Sequence, residues 1–406
     1  MNSDFMDTLL DGVEVEWKTL DEIGLISSAG VDKKKIEGEK SIKLLNYMDV
    51  YRNMYLIKDI PSMIVTAPDK KIEQCNVLKG DIFFTPSSEV LNDIGNSAVA
   101  LENMYGVVYS YHIMRLRLNN PNIITSMFIN YMLGSEFVQN QINKNAKGLT
   151  RFGLTKTQWE KLQIPIPPLN VQEEIVRILD TFTELTAELT AELTARKKQY
   201  TYYRDQLLSF EEGEVEWKAL GEVTEFSNGK GHEKYIIEDG KYIVVNSKFI
   251  STDGQVAKYS NKQICPLIID DILIVMSDLP NGKALSKTFI VDKNDKYTLN
   301  QRIGKVSVKN KQVLLPKFLQ YFLNRTPQLL KYNNGVDQTN LRKAQILGIQ
   351  VPIPPLSEQE HIVSILDKFD TLTTSITEGL PREIELRQKQ YEYYRNMLLS
   401  FPKEEV

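Results

Sequence analysis

The feature that most limits the fold of this chain is an internal duplication. Val15-Glu16-Trp17-Lys18 returns as Val215-Glu216-Trp217-Lys218, 200 residues later. Ile164-Pro165-Ile166-Pro167-Pro168-Leu169 returns as Val351-Pro352-Ile353-Pro354-Pro355-Leu356, and Gln172 to Asp180 then maps onto Gln359 to Asp367 without a gap. Gln199-Tyr200-Thr201-Tyr202-Tyr203-Arg204 has its twin in Gln390-Tyr391-Glu392-Tyr393-Tyr394-Arg395, and both copies run into Leu-Leu-Ser-Phe. A period of about 190 to 200 residues is too long for a solenoid. It implies one two-part unit used twice.

The two parts differ in kind. Residues 20–163 and 219–350 carry short β-rich runs, such as Tyr242-Ile243-Val244-Val245, broken by turn signals. Each ends in a helical patch, around Phe128 or Phe318. Residues 164–218 and 351–406 read as long helices, and residues 1–19 as an N-terminal partial repeat. The Pro-Pro-Leu segment is extended, because a residue before proline avoids the α region. Asn170 and Ser357 are then expected as N-caps, with Glu173 and Glu360 three residues on.

Apolar residues at Ile175, Ile178, Phe182, Leu185, Leu189, Leu193, Tyr200, Tyr203, Leu207 and Phe210 trace a coiled-coil seam. At 1.5 Å per residue, about 40 residues make a rod of roughly 60 Å. The second seam runs through Ile362, Ile365, Phe369, Leu372 and Ile376, and Gly379-Leu380-Pro381 should interrupt it. Tyr391 and Tyr394 repeat the tyrosines of the first. The expected class is α+β: two mixed α/β globular domains separated by two long antiparallel coiled-coil helices, with a pseudo-two-fold internal repeat.

Charge follows the same boundaries. The formal net charge is −4, which weakly disfavours a nucleic-acid partner. Split by segment, residues 20–169 hold 17 Lys and Arg against 15 Asp and Glu, and residues 219–356 hold 19 against 12. The globular parts are thus basic, at +9 together, and the terminal and helical segments carry −13. Basic domains can meet phosphate while acidic rods do not. A solvated acidic helix face is the plainer reading of the second number.

Other classes are disfavoured. No apolar run reaches the roughly 18 residues of a membrane span, and the acidic start is no secretory signal. Two cysteines, Cys75 and Cys265, give no disulfide framework, so a cytoplasmic protein is expected. The three histidines, His112, His232 and His361, lie too far apart in sequence to suggest a zinc site. No G-x-x-x-x-G-K-[ST] loop is present, Gly229-Lys230-Gly231 lacks the third glycine of a dinucleotide site, and Asp270-Asp271 fits a turn better than a metal site. No catalytic set stands out, and no metal site is expected.

The order of these parts resembles the specificity (S) subunit of type I DNA restriction–modification enzymes. The resemblance covers the full chain and is strongest over Ile164–Phe210, Val215–Leu220 and Val351–Phe401. The duplicated Leu-Leu-Ser-Phe ends and the tandem Thr186-Ala187-Glu188-Leu189-Thr190-Ala191-Glu192-Leu193 resemble the type IC branch. The globular domains match only through weak signatures such as Gly80-Asp81-Ile82.

The family implies that each target-recognition domain reads one half of a split, asymmetric site in double-stranded DNA. The helices would set the spacer between halves and dock two modification (methyltransferase) subunits. Those subunits would carry S-adenosylmethionine and adenine N6-methylation, and two restriction subunits would add ATP- and Mg-dependent translocation and cleavage. No cofactor and no catalysis are expected in this chain itself, and no membrane. The seam residues expected to serve spacing and docking are Ile175, Phe182, Leu189, Leu193, Tyr200, Tyr203, Ile362, Phe369, Tyr391 and Tyr394.

Candidate DNA contacts in the first domain are Asn46, Tyr47, Tyr51, Arg52, Ser87, Ser88, Lys144, Lys147, Thr150 and Arg151. In the second they are Lys230, His232, Lys234, Asn246, Ser247, Lys248, Ser277, Lys283, Gln338, Asn340 and Arg342. Arg151 and Gln338 fall at the same 187-residue offset as the proline-rich segments. Both side chains can contact a base edge bidentately; a phosphate contact or a surface loop is the plainer alternative.

Two other functions fit the same sequence. A stand-alone bipartite DNA-binding regulator would bind tightly without partners. A non-DNA protein scaffold would show affinity that depends little on salt.

Overall fold

The computed structural model describes residues 10, 12–211, 213–280, 282–375 and 377–401. Ile376, expected in the second seam, lies outside the described residues, as does most of the 1–19 segment before Gly12. The chain divides into two compact units, 1–188 with 385–406, and 189–384. The division at Glu188/Leu189 falls inside the Thr-Ala-Glu-Leu tandem.

In the first unit, Glu16–Thr19 pairs antiparallel with Gln163–Ile166, Trp17 opposite Pro165. Proline suits this two-stranded ribbon because its missing N–H can face away from the partner. A five-stranded sheet follows the order Gly24–Ser27, Met114–Leu118, Ile82–Phe84, Ser97–Ala100, Tyr55–Leu56. Ile82, Phe83 and Phe84 are all fully buried, so both faces of this sheet are covered. A three-stranded sheet of Met63–Ala67, Lys40–Leu45 and Val107–Tyr109 shares a core with one face, through Phe83, Leu44 and Tyr109.

The other face packs on the helix Ser126–Leu133, on Trp159, and on the start of the long helix α1 (Leu169–Leu207). Val171, Ile175 and Leu179 of α1 enter that core, each such side chain contributing about 1.5–3 kcal/mol. Leu398, Leu399 and Phe401 complete it from the far end of the chain.

The second unit repeats the plan. Glu216–Ala219 pairs with Gln350–Ile353, with Trp217 opposite Pro352, the same register. One four-stranded sheet runs Thr224–Asn228, Ile303–Val308, Ile272–Val275, Thr288–Ile290. Another contains Tyr242–Val245 parallel to Tyr297–Leu299. The helix Pro316–Leu323 packs on the first of them, with Ile362 and Leu366 of α2 (Leu356–Thr374) and with Leu207, Leu208 and Phe210.

Within each unit the helices run antiparallel. Phe182 of α1 stacks on Tyr394 of α3 (Gly379–Leu398) at 5.1 Å between ring centroids. Phe369 stacks on Tyr203 at 5.6 Å in the second unit, the same pairing in the repeat. Phe210 lies beyond the end of α1, which stops at Leu207.

The caps differ from expectation. Both helices start two residues earlier than those caps imply, at Leu169 and Leu356, so Asn170 and Ser357 sit inside the first turn. The carbonyls of Pro168 and Pro355 accept the first helical hydrogen bonds, from Gln172 and Gln359 at 3.0 and 3.1 Å. A proline's fixed φ suits that entry position and its absent donor costs nothing there.

The interruption falls just before Gly379-Leu380-Pro381. Gly379 has φ +75°, and a Cβ there would stand 2.5 Å from the Thr371 carbonyl oxygen and 2.8 Å from that of Leu372. Only glycine fits this corner.

Candidate nucleic-acid interface and its helical supports

Each domain is tied to the root of its helix by a buried glutamine. Gln172 Nε2 donates to the carbonyls of Pro167 (2.8 Å) and Ile123 (2.9 Å), while its Oε1 accepts from Thr125 N (2.9 Å). Gln359 does the same with Pro354 (2.8 Å), Val313 (2.9 Å) and Leu315 N (2.8 Å). Both side chains are fully buried. Such an amide joins the proline turn, the helix and the loop ahead of the domain's core helix.

A second joint lies two turns along. Tyr131 Oη donates to Asp180 Oδ1 at 2.6 Å, as Tyr321 does to Asp367. Asp180 also accepts from Tyr55, whereas Asp367 has Lys317 Nζ at 3.6 Å. Burial, followed by the bond to the carboxylate, pushes the pKa of Tyr131 and Tyr321 far up, so both remain donors.

In each domain some of the candidate contacts meet at a short two-stranded ribbon whose strands are distant in sequence. Ser87–Ser88 pairs antiparallel with Phe152–Gly153, Ser87 opposite Gly153. Arg151, two residues ahead, donates from Nε to Ser87 Oγ at 3.0 Å. In the second unit Ser277–Asp278 pairs with Thr339–Asn340, Ser277 opposite Asn340. Gln338, again two residues ahead, donates from Nε2 to Ser277 Oγ at 2.8 Å.

Tyr47, Tyr51, Ser88 and Arg151 line an open cavity of about 470 Å³ with Lys33 and His112. Burial, then Lys33 and Arg151, holds the His112 pKa below its ordinary value, so the ring is neutral near pH 7.

Other candidates stand apart from this groove. Lys144, Lys147 and Thr150 are exposed on the segment leading to Arg151, and Arg52 is exposed at the end of the helix Tyr47–Arg52. Lys230, Lys234, Lys248, Lys283 and Arg342 are exposed on separate segments of the second domain, and Ser247 is half-buried. Asn340 is exposed across the ribbon from Ser277.

Four candidates take other roles. His232 is fully buried, its Nδ1 2.8 Å from the Lys230 carbonyl and its Nε2 2.9 Å from Thr298 Oγ1. With both ring nitrogens engaged it is a core residue, not a DNA contact. The side-chain oxygens of Asn46 and Asn246 accept from Met48 N and Phe249 N, capping short helices. The mostly buried Ser88 hydroxyl accepts from Val90 N.

Four further residues belong to these sites. Lys33 and His112 reach the groove only through tertiary folding. Gln172 and Gln359 were legible: each lies three residues ahead of a buried isoleucine, on the apolar face.

Among the described residues no group of three or more His, Cys, Asp or Glu could hold a metal, and no helix is long and apolar enough to cross a membrane. Residues 12–196 and 212–386 both match the family described as the type I restriction modification DNA specificity domain. The chain belongs to that family.

The two matched stretches each span one globular domain and helix sequence beyond it. Specificity subunits of this family recognise DNA sequence within restriction–modification complexes and are themselves non-catalytic. Among similar proteins, the EcoR124I/EcoR124II specificity subunit of Escherichia coli is 36% identical, covering 99% of this chain and 98% of that one. A putative type I specificity subunit of Haemophilus influenzae is 32% identical over 98% and 99% of the two chains.

Among solved structures, the type I S subunit from M. genitalium matches 97% of this chain and 98% of its own, with TM-score 0.55 and 17% identity. A chain from a type I restriction–modification complex matches 95% and 98%, with TM-score 0.59 and 16% identity. At those identities the likeness concerns the fold.

Proposed function

We propose that this specificity subunit reads a bipartite, asymmetric DNA site, the 20–163 domain taking one half and the 219–350 domain the other. The observation that carries this reading is the doubled two-stranded ribbon, in which a serine holds an exposed polar side chain at the same register in both units. Two similar but unequal readers suit a site of two unequal halves. Arg, Gln, Lys and Ser side chains position on phosphates and specify base edges.

The helical segments 164–218 and 351–406 fix the unread spacer and dock two modification subunits. Those subunits carry S-adenosylmethionine and methylate adenine N6, with the target base turned out of the duplex. Two restriction subunits, with ATP and Mg, complete the nuclease. The complex works in the cytoplasm, on chromosomal and invading DNA.

Long-read sequencing of host DNA with and without the gene tests this. The expected result is a split N6-methyladenine motif that disappears with the gene. Unchanged methylation, or a continuous motif, would exclude the reading.

A further inference from the structure

We propose that Arg151 and Gln338 are matched base-reading side chains, Arg151 for a guanine in one half-site and Gln338 for an adenine in the other. The proposal rests on the half-site reading above and adds which side chains specify bases and which bases they select.

Three observations carry it. First, the positions are equivalent in detail: each side chain lies two residues ahead of the residue that faces Ser87 or Ser277 across the ribbon. Second, each is held by that serine, at 3.0 Å for Arg151 Nε and 2.8 Å for Gln338 Nε2. Third, each keeps a recognition edge for a partner. Among the described residues, both terminal nitrogens of Arg151 and the Oε1 of Gln338 make no hydrogen bond within the protein. Both residues are exposed.

A fixed pivot with a free edge is what base readout requires, because restraining the side chain beforehand lowers the entropy lost on binding. The free guanidinium fork matches guanine O6 and N7, and a carboxamide matches adenine N6 and N7. A phosphate contact carries no sequence information and draws on charge, which glutamine at the equivalent position lacks. Varying the reader while keeping its pivot lets one backbone select different bases.

The test maps methylation by this chain in complex with its modification subunit, on a plasmid library with both half-sites randomised. Arg151→Gln should exchange guanine for adenine at one position of one half-site, with discrimination of about 5- to 150-fold, the range of a good bidentate contact. Gln338→Arg should do the converse in the other half-site. Ser87→Ala should keep the guanine preference but weaken it at that position alone. In each variant the untouched half-site reports that the complex is folded.

A motif kept intact by Arg151→Gln, whether methylation falls evenly or not at all, overturns the proposal in favour of a phosphate contact or an idle loop. If Arg151→Gln methylates nothing, Arg151→Lys decides. That variant keeps a charge and loses the fork, so a relaxed position supports the proposal and an unchanged motif overturns it. Wild-type protein giving no split motif would overturn the half-site reading itself, and this proposal with it.

Discussion

The two units agree at their helix roots and differ at the serine ribbons, their reading tips. At the roots, Gln172 and Gln359 make the same three hydrogen bonds to equivalent partners, and Tyr131–Asp180 reappears as Tyr321–Asp367 at the same 2.6 Å. At the tips, the serine stays and its partner changes from arginine to glutamine. Between root and tip lies partial agreement: the second partner of the carboxylate is Tyr55 in one unit and Lys317 in the other. A residue that joins three backbone segments cannot vary without losing them all. A residue that touches one serine can.

Lengthening α1 by a third Thr-Ala-Glu-Leu copy should have the largest effect. Four residues add about 6 Å and about 400° of helix, roughly 40° past a full circle. Base pairs follow at about 34° and 3.4 Å each. The preferred spacer should therefore grow by one or two base pairs with both half-sites unchanged. Methylation mapping that found altered half-site bases would break the separation of root from tip.

Gln172→Ala and Gln359→Ala should each destabilise their own unit by about 3 kcal/mol, because buried backbone groups lose their partners. Urea denaturation should place the two costs within about 1 kcal/mol of each other. A large disparity would mean that the joints are alike only in geometry.

Removing one tyrosine hydroxyl probes the partial agreement. Tyr321→Phe should cost about 2 kcal/mol and Tyr131→Phe about 1, since Asp180 retains Tyr55 while Asp367 retains only the longer contact with Lys317. Thermal melting of the two variants orders them.

The smallest effect concerns Asp370, whose place in the first unit is taken by Thr183. Burial, against the opposing effects of Thr374 and Lys317, raises the Asp370 pKa above the ordinary carboxylate value, with Asp253 and Asp367 adding to the rise. The folded chain thus binds this proton more readily than the unfolded chain. Its contribution is most favourable below the unfolded pKa and is lost as pH rises through the folded one. Asp370→Thr should flatten the pH dependence of stability from the ordinary aspartate range, about pH 4, upward, visible by denaturation at a series of pH values.

Much of the architecture was legible because it is periodic. Ile175 and Ile362 carry the seam and are buried, and the glycine and proline at 379–381 mark the helix break. The cap positions were misread because Asn170 and Ser357 have the right chemistry, yet the preceding proline takes the position first. His232 was misread for a different reason. Its neighbours Lys230 and Lys234 suggested a basic surface, but Thr298, 66 residues away, closes over the ring. The groove beside Arg151 draws Lys33, Tyr47, Ser88 and His112 from four distant segments, which no local pattern announces.

The discontinuous first unit has a consequence for synthesis. The second unit is a single run, 189–384, whereas the first core closes only when Leu398, Leu399 and Phe401 arrive. At about 5–20 residues per second, some 200 residues separate the two halves of that core by roughly 10 to 40 s of translation. Through that interval the apolar roots of the first domain stand open on the ribosome, and the second core, which needs Ile362 and Leu366, is itself completed only near the end. The half made first is the half finished last, and a nascent-chain chaperone would find its binding surface there.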